Sequence, residues 1–173
     1  YFPFLLVSFL IVIAVTKIQG KKGFANGSLL PKQIFLHPSA LMDYRLLFAK
    51  AAFRALLFAP LLISTLSVIL WVFKGMVWAF GAPESSTIPH WVITALYTVC
   101  LFVAWDFSRF FLHTLLHKIP FLWELHKVHH SAEVLTPLTV YRTHPVESFL
   151  YAMRGVLTTG LVTGVFFYFF RYL

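Results

Sequence analysis

Histidine is concentrated in one short part of the sequence. Six of the eight histidines fall between positions 113 and 144. His113 and His117 are four residues apart, while His129 and His130 lie three and four residues after His126, so on helices each group shares one face. Neutral imidazole is the commonest transition-metal ligand, and a cluster without thiolates suits iron, zinc, copper or nickel rather than calcium or magnesium. The spacing therefore predicts a metal site.

The residues around the two histidine groups predict how the groups meet. Pro120 lies between them, and because proline ends or kinks a helix, the two faces can turn toward each other. His144 is open to two interpretations: it is a metal ligand, or it caps the helix that Pro145 begins. His37 and His90 stand alone and are predicted to be surface residues.

Three further residues are candidates for orienting the metal ligands. Metal-bound histidines usually donate their second N–H to a carboxylate, a carbonyl or water, which draws attention to Asp106 and Glu124. Asp106 has a purely structural alternative, a pair with Arg109, because charge inside a membrane is costly. The third candidate is Arg142, which we expect to hold its loop through an ion pair, with Glu147 as the partner, rather than to touch a substrate.

The composition places the chain in a membrane. Of its 173 residues, 60% are hydrophobic and only 12% are charged, whereas soluble domains have about 45–50% and about 25%. This excludes a soluble enzyme, a nucleic-acid-binding protein and a disordered chain. The excess of 14 Lys and Arg over 6 Asp and Glu fits basic cytoplasmic loops. The single cysteine, Cys100, excludes an internal disulfide.

Four apolar segments are candidate membrane spans, which need about 20 residues each: residues 2–16, 55–73, 91–112 and 155–170. Basic residues are frequent in 17–54 and 113–147, and the connector 75–90 has none. The positive-inside rule then places the histidines on the cytoplasmic side. We expect an all-α polytopic membrane protein of about four transmembrane or hairpin helices with a cytoplasmic, histidine-rich helical region.

Three motifs resemble the fatty acid hydroxylase/sterol desaturase superfamily. They are HxxxH within DFSRFFLHTLLH at 106–117, LWxxHxxHHS at 122–131 and RxHPxE at 142–147. The resemblance implies an integral-membrane di-iron oxygenase that hydroxylates or desaturates a lipid with O2 and electrons from a cytochrome b5- or ferredoxin-type donor. It also implies two iron ions in the complete protein. The metal ligands that it implies are His113, His117, His126, His129, His130 and His144.

The chain differs from that superfamily after the third motif. Members carry two further histidine groups downstream, broadly HxxH and a second HxxHH, and none follows His144. We therefore expect residues 1–173 to form one membrane-embedded domain, truncated at both ends, with its histidine core at 106–147. The activity is then expected of the longer protein, in the bacterial inner membrane or the endoplasmic reticulum.

Two other functions are compatible with clustered histidines in a membrane. A zinc hydrolase would need an open metal position and a general base, for which Glu124 or Glu133 is a candidate, and it would consume no oxygen. A haem-binding electron carrier would use histidines from facing helices and would show a haem spectrum.

Overall fold

The computed structural model describes residues 6–11, 14–15, 32–55, 63–83 and 86–170. Within these ranges the chain is helical and has no strand, which confirms the all-α prediction. The helices are α1 Lys32–Phe35, α2 Pro38–Phe53, α3 Thr65–Phe80, α4 His90–Lys118, α5 Pro120–His130 and α6 Pro145–Phe170, with a 3-10 turn at Thr139–Tyr141.

In the part of the chain that the structure describes, two helices are long and apolar enough to cross a membrane, α4 with 29 residues and α6 with 26. Length and composition alone are weak evidence for a span, and the four predicted spans are not all observed. The segment 2–16 lies mostly outside the described residues, and 55–73 lies partly outside them. The described end of 55–73 belongs to α3, which has 16 residues.

Helix α6 begins ten residues earlier than the predicted span 155–170. Pro145 occupies its first turn, where proline is favoured. The helix then continues through Arg154, whose guanidinium lies 4.3 Å from the ring centre of Trp105 and donates to the Trp105 carbonyl at 3.1 Å. With these contacts to α4, the cation does not interrupt the helix, although it interrupts the apolar run in the sequence.

Two glycines allow α6 to pack closely against α3. A Cβ atom added to Gly160 would lie 2.5 Å from the Cβ of Val68, and one added to Gly164 would lie 2.6 Å from the Cβ of Val72. No real side chain fits at such distances. The GxxxG spacing therefore serves close helix packing, as it does between many membrane helices.

Helices α4 and α6 are also joined by polar contacts within an apolar interface. The hydroxyls of Tyr97 and Thr163 are 3.0 Å apart, and the Trp105 indole N–H donates to the Thr159 hydroxyl at 3.0 Å. Because one α6 face contacts α3 and another contacts α4, α6 is the central helix of the bundle.

The chain breaks its helical path at Pro120, as the sequence predicts. Helix α4 ends at Lys118, Ile119 is extended with φ −94° and ψ 117°, and Pro120 begins α5. Proline cannot continue the α4 hydrogen-bond ladder. The break turns α5 back so that it packs on the end of α4, and the two histidine groups face each other.

The two isolated histidines are both outside the histidine cluster. The Nδ1 atom of His37 accepts the backbone N–H of Ser39 at 3.2 Å and caps the start of α2. His90 is exposed at the start of α4.

Candidate metal centre

Three histidines from two helices converge at the break between α4 and α5. His113 and His117 lie one turn apart on α4, and His126 lies on α5. Each offers a ring nitrogen, and these three nitrogens all lie within 4.8 Å of one another. The structure thus brings together residues that are up to 13 positions apart in the sequence.

The three nitrogens are slightly farther apart than the ligands of a single transition-metal ion. Two nitrogens that are each about 2.1 Å from one ion lie at most about 4.2 Å apart. Ring rotations that move the nitrogens by less than an ångström would bring this set within range. No thiolate competes, because Cys100 is exposed elsewhere on α4.

His130 joins the same cluster. Its Nε2 atom lies 3.2 Å from the Nε2 of His126, and its ring centre is 5.1 Å from that of His117. The indole of Trp123 lies 5.3 Å from the His117 ring and 5.7 Å from the His130 ring. This tryptophan restricts how far either ring can turn.

Glu147 fixes the orientation of His126. Its Oε1 atom lies 2.9 Å from the His126 Nδ1, and each residue is only 1% exposed. A carboxylate oxygen accepts, so Nδ1 carries the hydrogen and the lone pair of Nε2 points into the cluster. The other carboxylate oxygen of Glu147 is buried, and no described residue reaches it with a hydrogen bond.

A backbone carbonyl fixes His129 in the same way. The His129 Nδ1 lies 3.2 Å from the carbonyl oxygen of Arg142. Because a carbonyl can only accept, Nδ1 carries the hydrogen here too, and Nε2 keeps a free lone pair.

The surroundings of the cluster favour neutral imidazoles. Burial lowers the pKa of His126 below its ordinary value of 6.5, and the neighbouring His117 and His129 lower it further. Burial is also the main cause of the lowered pKa of His130, followed by the charges of nearby histidines. A neutral ring is the form that binds a metal.

His144 has the capping role that the sequence left open. Its Nδ1 accepts the backbone N–H of Val146 at 3.2 Å, at the start of α6. A neutral imidazole that accepts at Nδ1 carries its hydrogen on Nε2. His144 in this conformation therefore presents no lone pair to a metal.

Arg142 holds its loop through an ion pair as predicted, but Glu147 was the wrong partner. Arg142 pairs with Asp43 of α2, and both side chains are buried. Glu147 is instead the orienting carboxylate that the sequence analysis missed. The available signal was its position in the first turn of a helix that begins at Pro145, three residues after Arg142.

Within the described ranges, no hydrogen bond or ion pair joins the other two candidates for orienting residues to a histidine ring. Glu124 is exposed and pairs with Lys127. Asp106 is exposed, and among the described residues no ion pair joins it to Arg109.

A cavity of about 700 Å³ opens beside the histidines. His113, His126 and His129 contribute to its wall, together with the carboxylate of Glu147. The hydroxyl of Tyr151, also in the wall, lies 3.4 Å from the Nδ1 of His113. The remaining lining residues come mainly from α4 and α6: Trp105, Asp106, Arg109, Phe110, Val140, Thr143 and Arg154.

Comparison with known proteins agrees with the histidine motifs. A family model described as "Fatty acid hydroxylase" matches residues 98–173. No curated protein and no solved structure matches the chain significantly. The matched range includes α5, α6 and most of α4, and with them every residue of the histidine cluster. The resemblance seen in the three motifs is therefore confirmed: residues 98–173 are similar to the fatty acid hydroxylase family.

Proposed function

We propose that this chain supplies histidine ligands to the iron centre of a membrane-bound lipid hydroxylase or desaturase. The observation that carries the proposal is the convergence of the three ring nitrogens of His113, His117 and His126 within 4.8 Å. The family match supports the general oxidoreductase assignment. The ligand set that we propose adds His129 and His130 and omits His144.

The metal supplies the chemistry that side chains lack. Bound iron, with O2 and electrons from an external donor, can oxidise an unactivated C–H bond, whereas no amino-acid side chain can. The protein's own contribution is to hold and orient the ligands. Glu147 holds the proton on the Nδ1 of His126, and the Arg142 carbonyl does the same for His129, so that both Nε2 lone pairs are kept for the metal.

The cavity beside the histidines is the proposed place for the lipid. Trp105, Phe110 and Val140 give part of its wall an apolar surface suited to a hydrocarbon chain. The side chains that α4 turns outward include Phe102, Phe107 and Phe111, all more than half exposed, as expected for a helix that faces lipid. A substrate could then reach the histidines from the bilayer, and its fixed position would select the carbon that reacts.

The electron donor is proposed to approach the histidines from the side opposite to the bilayer. Lys118 and Lys127 are exposed at the ends of the two histidine-bearing helices. The basic loops of the sequence support a cytoplasmic location for this end. A cytochrome b5- or ferredoxin-type protein would meet the metal centre there.

Metal analysis of the purified chain tests the proposal. We expect the chain, isolated in mild detergent, to contain iron and the His126→Ala variant to lose it. His90→Ala is the matched control, since His90 is exposed at the far end of α4, and it should retain the iron content of the wild type. Zinc in place of iron, without oxygen consumption, would favour the hydrolase. A haem spectrum would favour the electron carrier, and no bound metal would overturn all three.

A further inference from the structure

A buried ion pair joins α2 to the loop that follows the histidines of α5. Asp43 is 0% exposed and Arg142 is 2% exposed. The Nε–H of Arg142 donates to one carboxylate oxygen of Asp43, and the Thr139 hydroxyl donates to the other at 2.7 Å. Because burying two charges is costly, such pairs persist where their geometry and additional hydrogen bonds compensate. Both carboxylate oxygens are used here.

The rest of the guanidinium connects two separate backbone segments. Its Nη1 donates to the carbonyl of Ser131 at 2.9 Å, and Ser131 directly follows His130. Its Nη2 donates to the carbonyl of Ser39 and, at 2.8 Å, to the Ser39 hydroxyl. One planar side chain therefore ties the first turn of α2 to the end of α5, which a point charge such as lysine could not do with the same geometry.

Helix α2 also contacts the residues on either side of Arg142. The Lys50 ammonium donates to the carbonyl of Tyr141 at 2.7 Å and to the Thr143 hydroxyl at 2.8 Å. Asp43 and Lys50 are seven residues apart and therefore share one face of α2. The Arg142 carbonyl lies between these two contacts of Lys50, and it accepts the hydrogen bond of the His129 Nδ1.

We propose that Asp43 is a positioning residue for the metal centre. It fixes Arg142, whose carbonyl holds His129 as the Nδ1–H tautomer and keeps the Nε2 lone pair available. This inference rests on the proposed function, in which His129 is a ligand. Asp43 lies outside the range 98–173 that matches the family, so the positioning element comes from a part of the chain that the family match does not include.

The test compares Asp43→Asn with a matched control on the same helix. Asparagine keeps the size of the side chain and removes its charge, which leaves the Arg142 guanidinium buried without an anion. Arg45→Gln removes a charge from an exposed position of α2. Two properties are measured on the full chain in detergent micelles: the tautomer of His129, from ¹⁵N shifts of the metal-free protein, and the affinity for Co²⁺, from its absorption spectrum.

We expect His129 to be the Nδ1–H tautomer in the wild type and in Arg45→Gln, and a mixture of tautomers in Asp43→Asn. The Co²⁺ affinity of Asp43→Asn should fall about tenfold or more, as is typical when an orienting contact to a metal ligand is lost. A merely structural role for Asp43 would lower the unfolding temperature and leave the His129 tautomer of the folded protein unchanged.

An unchanged tautomer and an unchanged Co²⁺ affinity in folded Asp43→Asn would overturn the inference. If Asp43→Asn does not fold, Ser39→Ala takes its place, because it removes one contact to Arg142 and leaves the ion pair. Ser39→Ala should shift the tautomer in the same direction by a smaller amount, and no shift would overturn the inference. A wild-type chain that binds no Co²⁺ would contradict the proposed function, while the tautomer of the metal-free protein would still decide the role of Asp43.

Discussion

The Oε1 atom of Glu147 lies 2.9 Å from the Nδ1 of His126, 21 positions away in the sequence, and both side chains are almost completely buried. This contact connects the first turn of α6 to the middle of α5. It leaves His126 with one nitrogen committed to the carboxylate and the other directed at His130.

The first prediction concerns this carboxylate. Glu147→Gln removes the charge that favours the hydrogen on the His126 Nδ1, and the amide can also turn its NH2 group toward the ring. We expect a loss of metal affinity of about 10–100-fold, measured by Co²⁺ titration. Glu124→Gln, which changes an exposed carboxylate on the same helix as His126, should leave the affinity unchanged. Equal affinities in the two variants would refute the orienting role of Glu147.

The second prediction concerns the break between the two histidine helices. Pro120→Ala restores a backbone N–H and removes the steric barrier to a continuous helix. We expect the helical content to be kept or to rise while the Co²⁺ affinity falls at least about tenfold, equivalent to about 1.4 kcal/mol, because the two histidine faces separate.

Circular dichroism and Co²⁺ titration of the same sample check this outcome. Pro89→Ala, at the opposite end of α4, provides the control and should bind Co²⁺ like the wild type. A Pro120→Ala variant with wild-type affinity would show that packing against α6, and not the proline, holds α5 in place.

The third prediction concerns the contact between α3 and α6. Gly160→Ala places a Cβ atom 2.5 Å from that of Val68, so the helices must move apart. We expect it to destabilise the protein by about 1–3 kcal/mol, the usual cost of overpacking, seen as a lower unfolding temperature.

Gly75→Ala is the matched control on α3, because a Cβ atom there meets nothing within 4 Å. In a helix interior alanine is favoured over glycine by about 0.8–1 kcal/mol, so this variant should be as stable as the wild type or more stable. Equal destabilisation of the two variants would contradict the close packing at Gly160.

The fourth prediction concerns the pH dependence of the metal-free chain. The pKa values of His126 and His130 are lowered below 6.5 in the folded state. The unfolded chain therefore binds protons more readily than the folded chain when the pH falls below about 6.5. The free energy of unfolding should be highest above this pH and should decrease as the pH falls through 6.5 and below it.

Thermal unfolding of the metal-free chain at several pH values between 5 and 8 measures this slope. The double variant His126→Gln/His130→Gln has lost both titrating groups, and its stability should depend less steeply on pH in this window. A slope that is identical in the variant and the wild type would show that other groups cause it.

The parts of the site that the sequence predicted are those that depend on local spacing. Helical periodicity places His113 above His117, and the backbone of Pro120 enforces the break, so both could be derived from short stretches of sequence. The partners of Glu147 and Arg142 could not be derived in this way. The Arg142–Asp43 contact joins residues 99 positions apart, and spacing within one helix carries no information about which helix packs against it.

The span predictions differ from the observed helices for a similar reason. The apolar run of α6 is interrupted in the sequence by Arg154, and a hydropathy pattern cannot show that Trp105 and Ser108 of α4 receive this cation. The helix therefore begins before the charge, at Pro145. His144 shows the opposite case, in which a local signal, the proline after it, correctly indicated a helix cap.

The ion pair between Asp43 and Arg142 has a consequence for how the protein can be divided. A recombinant fragment limited to residues 98–173 would contain all five proposed ligands but would lack Asp43, Ser39 and Lys50. Its Arg142 guanidinium would be left without its buried counter-ion, at a cost of about 3–5 kcal/mol, or would turn outward and release the loop. The smallest autonomous unit that preserves the histidine geometry therefore begins no later than the cap of α2 at His37.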